Sequence, residues 1–170
     1  MAAKDVRRGE NLQVMPELAG KYLTFVLGEE EYGIFILQVR EIIGIMEITS
    51  VPHTPPYVKG VINLRGRVIP VIDLRLKFAM AAREYDDRTC IIVVEVQGRE
   101  GTIMVGMLVD SVSEVVNVSG TEVEPPPVFG TKFGSSDNIL GMAKINNEVK
   151  ILLDTYKVIG EGVVEHFEKK

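Results

Sequence analysis

The sequence predicts a mainly β protein made of two small closed barrels that pack against each other. Three observations lead to this prediction: the chain contains an internal repeat, its apolar segments are short and rich in Val and Ile, and turn residues recur about every 8–12 residues. The chain of 170 residues, 46% hydrophobic and 25% charged, is long enough for two such units. Closing a sheet removes its edges, and packing two barrels together buries surface that one small barrel leaves exposed.

The internal repeat consists of two ungapped matches. Residues 60–78 align with residues 141–159, and residues 32–43 align with residues 105–116. The shared residues are Gly33 with Gly106, Val39 with Val112, Glu41 with Glu114, Gly60 with Gly141, Val68 with Val149, and Asp73 with Asp154. The preserved spacing from glycine to aspartate indicates a true duplication, with tandem copies over about 22–82 and 89–159.

Each copy is expected to contain about five short strands and a closing helical turn. In the first copy, residues 22–27 and 32–36 are predicted to form two strands, and residues 38–45 a third strand or a short turn. Residues 61–64 and 68–72 complete the set as a hairpin. Short strands of this kind suit a small closed barrel.

Turn and cap residues mark the ends of the predicted hairpin. Arg65-Gly66 forms its turn, and Gly66 is predicted to take a positive φ. Asp73 and Asp154 follow the last strands of the two copies, where a carboxylate can accept hydrogen bonds from the free N–H groups of a helix. The sequence therefore predicts short closing helices over 74–78 and 155–159.

The predicted domain organisation follows the repeat. We expect a first barrel over 21–85 and a second barrel over 86–160, with the first strand near 22–27 able to pair with either barrel. Residues 1–20 are expected to form a flexible N-terminal segment, and residues 161–170 a charged C-terminal tail without fixed structure, because both are terminal and of mixed charge.

Composition and charge exclude several classes of function. The formal net charge is −5 and the pI is about 5.2, so nucleic acid is an unfavourable partner, because affinity for phosphate backbones depends on cations. The single cysteine, Cys90, cannot form an intrachain disulfide or a Cys-based zinc site. No apolar run approaches the roughly 18 residues of a membrane span, and no apolar segment follows the basic residues near the N-terminus. We therefore expect a cytoplasmic protein without membrane insertion.

The sequence offers little for catalysis. It has no phosphate-binding loop, no dinucleotide fingerprint and no nucleophile elbow, and its two histidines, His53 and His166, lie among prolines and in the charged tail. Asp73, Asp110 and Asp154 each follow an apolar run, but the companion residues of a magnesium or phosphoryl site are missing. We interpret them as helix caps or turn residues, and we predict no catalytic residue, no cofactor and no metal.

The remaining candidate for function is the segment Asn63-Leu64-Arg65-Gly66-Arg67. A tight turn tolerates many residues at position 65, and the second copy has Asn146-Asn147 at the same place. The fold therefore does not demand Arg65, whereas Arg is enriched at protein interfaces. The first copy is locally basic here, and the second has five Lys and Arg against nine Asp and Glu. This asymmetry suits either an ordinary solvated surface or two different protein partners, one per barrel.

Residues 60–75, Gly-Val-Ile-Asn-Leu-Arg-Gly-Arg-Val-Ile-Pro-Val-Ile-Asp-Leu-Arg, resemble the signature of CheW-type chemotaxis coupling proteins. The further segments that fit this resemblance are 30–34, 39–42, Val51-Pro52 with Pro55, 106–110, 112–115 and 152–154. The resemblance extends over about residues 21–159, and the Asn-Leu-Arg-Gly block with its flanks is far more specific than a lone glycine motif.

The resemblance implies a fold, a function and partners. Members of this family consist of two five-stranded SH3-like barrels and act as adaptors without catalytic activity. They couple the cytoplasmic tips of chemoreceptors, in membrane-bound receptor arrays, to the regulatory domain of the histidine kinase CheA. The residues here that match positions linked to receptor or kinase contact, or that lie in the same block, are Val39, Glu41, Lys59, Asn63, Arg65, Gly66 and Val115.

The resemblance also suggests how such an adaptor works. A groove between the barrels receives an apolar ridge of the receptor's helical hairpin, with Val39 and Val115 in apolar contact and with Arg65 and Glu41 fixing the register. A separate barrel end pairs with the kinase domain. Holding both partners raises their effective concentration, so the adaptor itself needs no chemistry.

Other functions remain open at this point. The regulatory domain of the kinase has the same fold, so a detached module of that kind is one alternative. A two-barrel module that binds nucleic acid or a small ligand, or a small enzyme, is another. Thermal melting with nucleotides and metals would separate a small-ligand-binding module or a small enzyme from an adaptor, because a ligand of the native state raises the melting temperature.

Overall fold

The computed structural model describes residues 15–126 and 138–168. The strands in these residues are β1 Gly20–Leu27, β2 Glu30–Phe35, β3 Val39–Gly44, β4 Val58–Leu64, β5 Arg67–Asp73, β6 Cys90–Gln97, β7 Thr102–Val109, β8 Ser111–Val118, β9 Val123–Glu124, β10 Ile139–Ile145 and β11 Glu148–Leu153. The helices are α1 Leu74–Lys77, α2 Thr155–Ile159 and α3 Glu161–Glu168, and the 3₁₀ turns are η1 Pro16–Leu18, η2 Ile36–Gln38 and η3 Gly120–Glu122. None of the described helices is long and apolar enough to cross a membrane.

The strands form two sheets. Sheet I has the order β8-β1-β2-β11-β10-β9, and sheet II has the order β3-β6-β7-β5-β4. This mainly β architecture of two SH3-like barrels with short helices confirms the predicted fold class. The segment 38–45, which the sequence left as a strand or a turn, contains strand β3, preceded by the 3₁₀ turn η2.

The two sheets do not correspond to the contiguous segments 21–85 and 86–160. The β1–β2 hairpin of the first copy joins β8–β11 of the second, and the β6–β7 hairpin of the second copy joins β3–β5 of the first. Two parallel pairs make these junctions, with Gly33 opposite Leu152 and Gly106 opposite Val71. The exchange of hairpins is reciprocal, so both barrels keep the same strand order and the sequence repeat is preserved.

The core is divided into three clusters. One lies within sheet I around Tyr22, one lies within sheet II around Ile91, and the largest combines residues of both sheets and of the closing helices. On β1, Tyr22 belongs to the sheet I cluster, whereas Leu23 and Phe25 belong to the shared cluster. Both faces of this strand are therefore buried, which explains its continuous apolar run without alternation.

The chain ends differ from the prediction where the structure describes them. Residues 161–168 form helix α3, and its Val163 and Val164 are buried in the shared core. Burial of this apolar pair against the barrels orders the segment despite its charge. At the other end, η1 places Leu18 in the sheet I cluster, so residues 15–20 are not a flexible arm either. Residues 1–14 and 169–170 lie outside the described part.

The predicted capping residues occupy the expected places. Asp73 accepts a hydrogen bond from the N–H of Leu76 at 3.3 Å, and Asp154 accepts one from the N–H of Lys157 at 3.1 Å. Each carboxylate thereby satisfies a free donor in the first turn of α1 or α2.

Asp110 is more than a turn residue, because it forms a buried ion pair. Its side chain is 8% exposed and receives two hydrogen bonds from Arg75, at 2.8 and 2.9 Å. Arg83 at 3.1 Å and the N–H of Gly28 at 2.8 Å complete its contacts. Burial alone raises the pKa of Asp110, but these donors and cations outweigh burial and hold the pKa below its usual value.

We expect Asp110→Asn to lower the free energy of unfolding by about 3 kcal/mol at pH 7, because it leaves the largely buried Arg75 guanidinium without its counter-charge. The folded-state pKa of Asp110 is lowered, so its contribution is present above about pH 4 and is lost as the pH falls below that value. Urea denaturation at pH 7 and pH 3 measures this difference between wild type and variant.

The matched control is Glu161→Gln, which removes the exposed ion pair with Arg99 and is expected to change stability little. A destabilisation by Asp110→Asn that stays constant down to pH 3 would contradict the role assigned to the carboxylate charge.

Candidate functional site

The β4–β5 hairpin carries the candidate segment on a two-residue turn. Leu64 pairs with Arg67 across it, and both turn residues have positive φ, 53° at Arg65 and 87° at Gly66. The amide of Gly66 donates to Asn63 Oδ1 at 2.8 Å, which fixes the turn from the strand side. Positive φ at both positions suits the twist of a hairpin and favours Asn and Gly, so Arg65 occupies a position that an arginine seldom takes.

The Arg65 guanidinium contacts the Glu41 carboxylate on strand β3. Arg65 Nη1 donates to Glu41 Oε1 at 2.8 Å, and Nη2 donates to Oε2. The hydrogen bond to Arg65 holds the pKa of Glu41 below its usual value and raises the pKa of Arg65. The Arg65 side chain is 69% exposed and that of Glu41 28% exposed, so solvent screens the pair and it contributes little to stability.

We expect Arg65→Asn to leave the melting temperature unchanged or to raise it by up to about 3 °C. Asn tolerates the left-handed backbone of this turn better than Arg, and Asn146 holds the same conformation in the second copy, with φ of 53°. Differential scanning calorimetry of both proteins checks this result. A clear fall in melting temperature would mean that Arg65 is held in the turn for stability.

The structure brings together part of the predicted site. Glu41, Asn63, Arg65 and Gly66 are linked by the hydrogen bonds described above, and Lys59 lies on the same strand, β4, as Asn63. Glu41, Asn63, Arg65 and Gly66 form a polar surface of sheet II, which we call the Arg65 surface.

The two predicted valines occupy different environments. Val39 begins strand β3 and is half-buried against the shared core, so its substitution also affects packing. Val115 is exposed on β8, the edge strand of sheet I, and thus belongs to the other barrel. The repeat places it at the position of Ile42 on β3, the edge strand of sheet II, and Ile42 is exposed as well.

The sequence prediction missed exposed apolar residues on the strands that carry Glu41 and the Arg65 turn. Ile42 lies next to Glu41 on β3, Ile45 follows that strand, and Val68 follows Arg67 on β5. Consecutive apolar residues on an edge strand, such as Ile42-Ile43, indicate that one of them faces outward, and this signal was present in the sequence. Neighbouring side chains on a strand lie on opposite faces, so Ile42 is an exposed apolar contact on the face of β3 opposite to Glu41.

Within residues 15–126 and 138–168, no group of three or more His, Cys, Asp or Glu side chains is arranged to hold a metal ion. The chemistry that the Arg65 surface offers is hydrogen bonding, charge and apolar contact. Contacts of these kinds are typical of protein–protein interfaces.

Comparison with known proteins agrees with this geometry. The family model of the CheW-like domain matches residues 21–162. The chain belongs to the CheW-like family. The chemotaxis protein CheW of Klebsiella aerogenes is 38% identical over 153 residues, covering 87% of this chain and 89% of that protein. The chemotaxis protein CheW of Helicobacter pylori is 34% identical over 139 residues, covering 82% and 81% of the two chains.

A solved structure from the same CheW-like family supports the fold. The scaffolding protein TtCheW of Thermoanaerobacter tengcongensis is 34% identical with a TM-score of 0.74, and the match covers 84% of this chain and 93% of that chain. Together with the CheW relatives, it supports the function of a chemotaxis coupling adaptor. The alternative two-barrel modules for nucleic acid or small ligands are not favoured.

Proposed function

We propose that this CheW-like protein couples the cytoplasmic tip of a methyl-accepting chemoreceptor to the regulatory domain of the histidine kinase CheA, without catalysing a reaction. The observation that carries the proposal is Arg65, an exposed arginine in a left-handed turn where the fold prefers Asn or Gly. Because the fold itself disfavours an arginine at this exposed position, we infer that a binding partner requires Arg65.

The residues proposed to contact the partners lie on two barrels. On sheet II, Arg65 and Glu41 supply paired charges, Asn63 and Gly66 belong to the same turn, and Lys59 lies on the same strand as Asn63. Ile42 supplies an exposed apolar contact on the opposite face of β3. On sheet I, Val115 supplies an exposed apolar contact on β8. Apolar anchors with charged rims are the pattern by which a groove binds an amphipathic helix, and the receptor hairpin is proposed to bind through Val39, Val115 and this rim.

The kinase domain is proposed to bind a separate barrel end, so that one adaptor holds both proteins at once. Binding two partners on one scaffold raises their effective concentration, which is sufficient for coupling without a reaction in the adaptor. The protein is accordingly proposed to act at membrane-bound receptor arrays through its partners rather than by inserting into the membrane.

Binding assays with purified partners test the proposal. The chain is titrated by calorimetry with the regulatory domain of a chemotaxis kinase and, separately, with a receptor cytoplasmic fragment. Saturable 1:1 binding to both supports coupling. Absence of binding to either one, with a folded protein, rejects the bridging role.

A further inference from the structure

The internal repeat creates two equivalent corners, each at the point where the first hairpin of one copy ends beside the last strand of the other copy. We call them the closed corner, at Asp73, Leu108 and Asp110, and the open corner, at Asp154, Phe35 and Leu37. The sequence alignment of the two copies matches these residues in that order. The backbone agrees, because the Asp73 amide donates to the carbonyl of Tyr57 at 2.7 Å, and the Asp154 amide donates to that of Asn138 at 2.8 Å.

The closed corner is filled by the segment that connects the two copies. Arg83 donates to Asp110 at 3.1 Å, and the Tyr85 hydroxyl donates to Asp73 Oδ2 at 3.1 Å. With these side chains in place, the cavity that remains has a volume of only about 10 Å³. The segment with Arg83 and Tyr85 is therefore an example, from the same chain, of a segment that fits such a corner.

The open corner has no such cover among the described residues. After α2 the chain continues into α3, whose Val163 and Val164 pack on the shared core instead. The cavity at the corner is about 440 Å³, and its lining includes the apolar side chains of Leu18, Phe35, Leu37 and Leu140 together with Asp154.

The chemistry of the open corner specifies what would cover it. Leu37 stands where the closed corner has Asp110, and it is 86% exposed. In the open corner, the position equivalent to that of Arg83 therefore favours an apolar side chain, which would cover Leu37. Asp154 Oδ1 accepts from the Lys157 amide, and no donor among the described residues reaches Oδ2, the oxygen that corresponds to the tyrosine contact at Asp73.

We propose that the open corner is a docking site for an extended segment of a partner protein, which places an apolar side chain over Leu37 and a tyrosine hydroxyl on Asp154. The closed corner is the template for this occupant. The proposal goes beyond receptor and kinase coupling through the Arg65 surface and does not depend on it.

The test uses a synthetic peptide with the sequence of residues 79–89 carrying R83L, so that an apolar side chain faces Leu37. Titrated into the ¹⁵N-labelled full chain, it should cause saturable amide shifts at residues 35–38 and 153–155. The same peptide with Y85F should bind about fivefold more weakly, because it lacks the hydroxyl donor. Leu37→Asp in the protein should weaken binding at least about tenfold.

The control variant is Val149→Asp, which changes an exposed apolar residue on β11 outside the open corner and should leave peptide binding unchanged. Melting temperatures of both variants should match the wild type, since both side chains are exposed. Absence of saturable shifts, or equal weakening by Leu37→Asp and Val149→Asp, would overturn the proposal. Binding that appears only after deletion of residues 1–14 would also overturn it, because the occupant would then be a segment of the chain itself.

Discussion

Arg65→Glu is expected to abolish coupling while the protein stays folded. The substitution places a second carboxylate beside Glu41, where the structure has a two-pronged ion pair, and it reverses the charge offered to the partner. We expect affinity for at least one partner to fall about 100-fold or more, because like charges across an interface cost several kcal/mol of binding energy. Calorimetric titration with the kinase regulatory domain and with the receptor fragment measures both affinities.

The control for this experiment is Arg65→Asn, which removes the charge and keeps a residue that the turn favours. It should weaken the same interaction as Arg65→Glu, but by a smaller factor, with an unchanged or higher melting temperature. If the Arg65→Glu protein unfolds while the Arg65→Asn protein does not, the repulsion between Glu41 and the new carboxylate is the cause of the unfolding. If both variants bind both partners normally, Arg65 lies outside the interfaces.

Gly60→Ala is expected to have the largest effect on stability. Gly60 sits at the β4 irregularity with φ of 145°, and a Cβ there would lie 2.0 Å from the carbonyl oxygen of Thr49. Thr49 and Val61 exchange two backbone hydrogen bonds at this point, so the clash falls on a fixed part of the barrel. We expect a loss of about 4 kcal/mol or more in the free energy of unfolding, which corresponds to a fall of about 10 °C in melting temperature.

Gly44→Ala provides the matched control. No atom lies within 4 Å of the position that its Cβ would take, and its φ is outside the left-handed region. Its stability should stay within about 0.5 kcal/mol of the wild type in urea denaturation. Equal effects of the two substitutions would mean that the close approach at Thr49 does not constrain the barrel.

The repeat predicted much of the fold, because strands, turns and caps depend on local sequence. The turn at Arg65-Gly66 and the caps at Asp73 and Asp154 follow from such local rules. The exchange of hairpins between the copies does not follow from them. Both copies have the same pattern, so the sequence does not distinguish pairing of β2 with β5 from pairing of β2 with β11.

Candidate site residues could be chosen from the sequence where the two copies differ. Arg65 stood out because its counterpart is Asn146, and the structure adds the left-handed backbone that makes the arginine costly there. The contact with Glu41 was not deducible, because it depends on how β3 lies relative to the β4–β5 turn. The buried α3 was missed because its charged residues obscure the Val163-Val164 pair that anchors it.

The central claim is that one chain binds receptor and kinase at the same time, and a sequential titration tests it most directly. The chain is first saturated with the receptor cytoplasmic fragment, and the kinase regulatory domain is then titrated into the complex by calorimetry. We predict 1:1 binding of the kinase domain with an affinity close to that for the free chain, because we propose separate surfaces for the two partners. Loss of kinase binding in the saturated complex, or release of the receptor fragment during the titration, would show that the partners compete for one surface and would contradict the account.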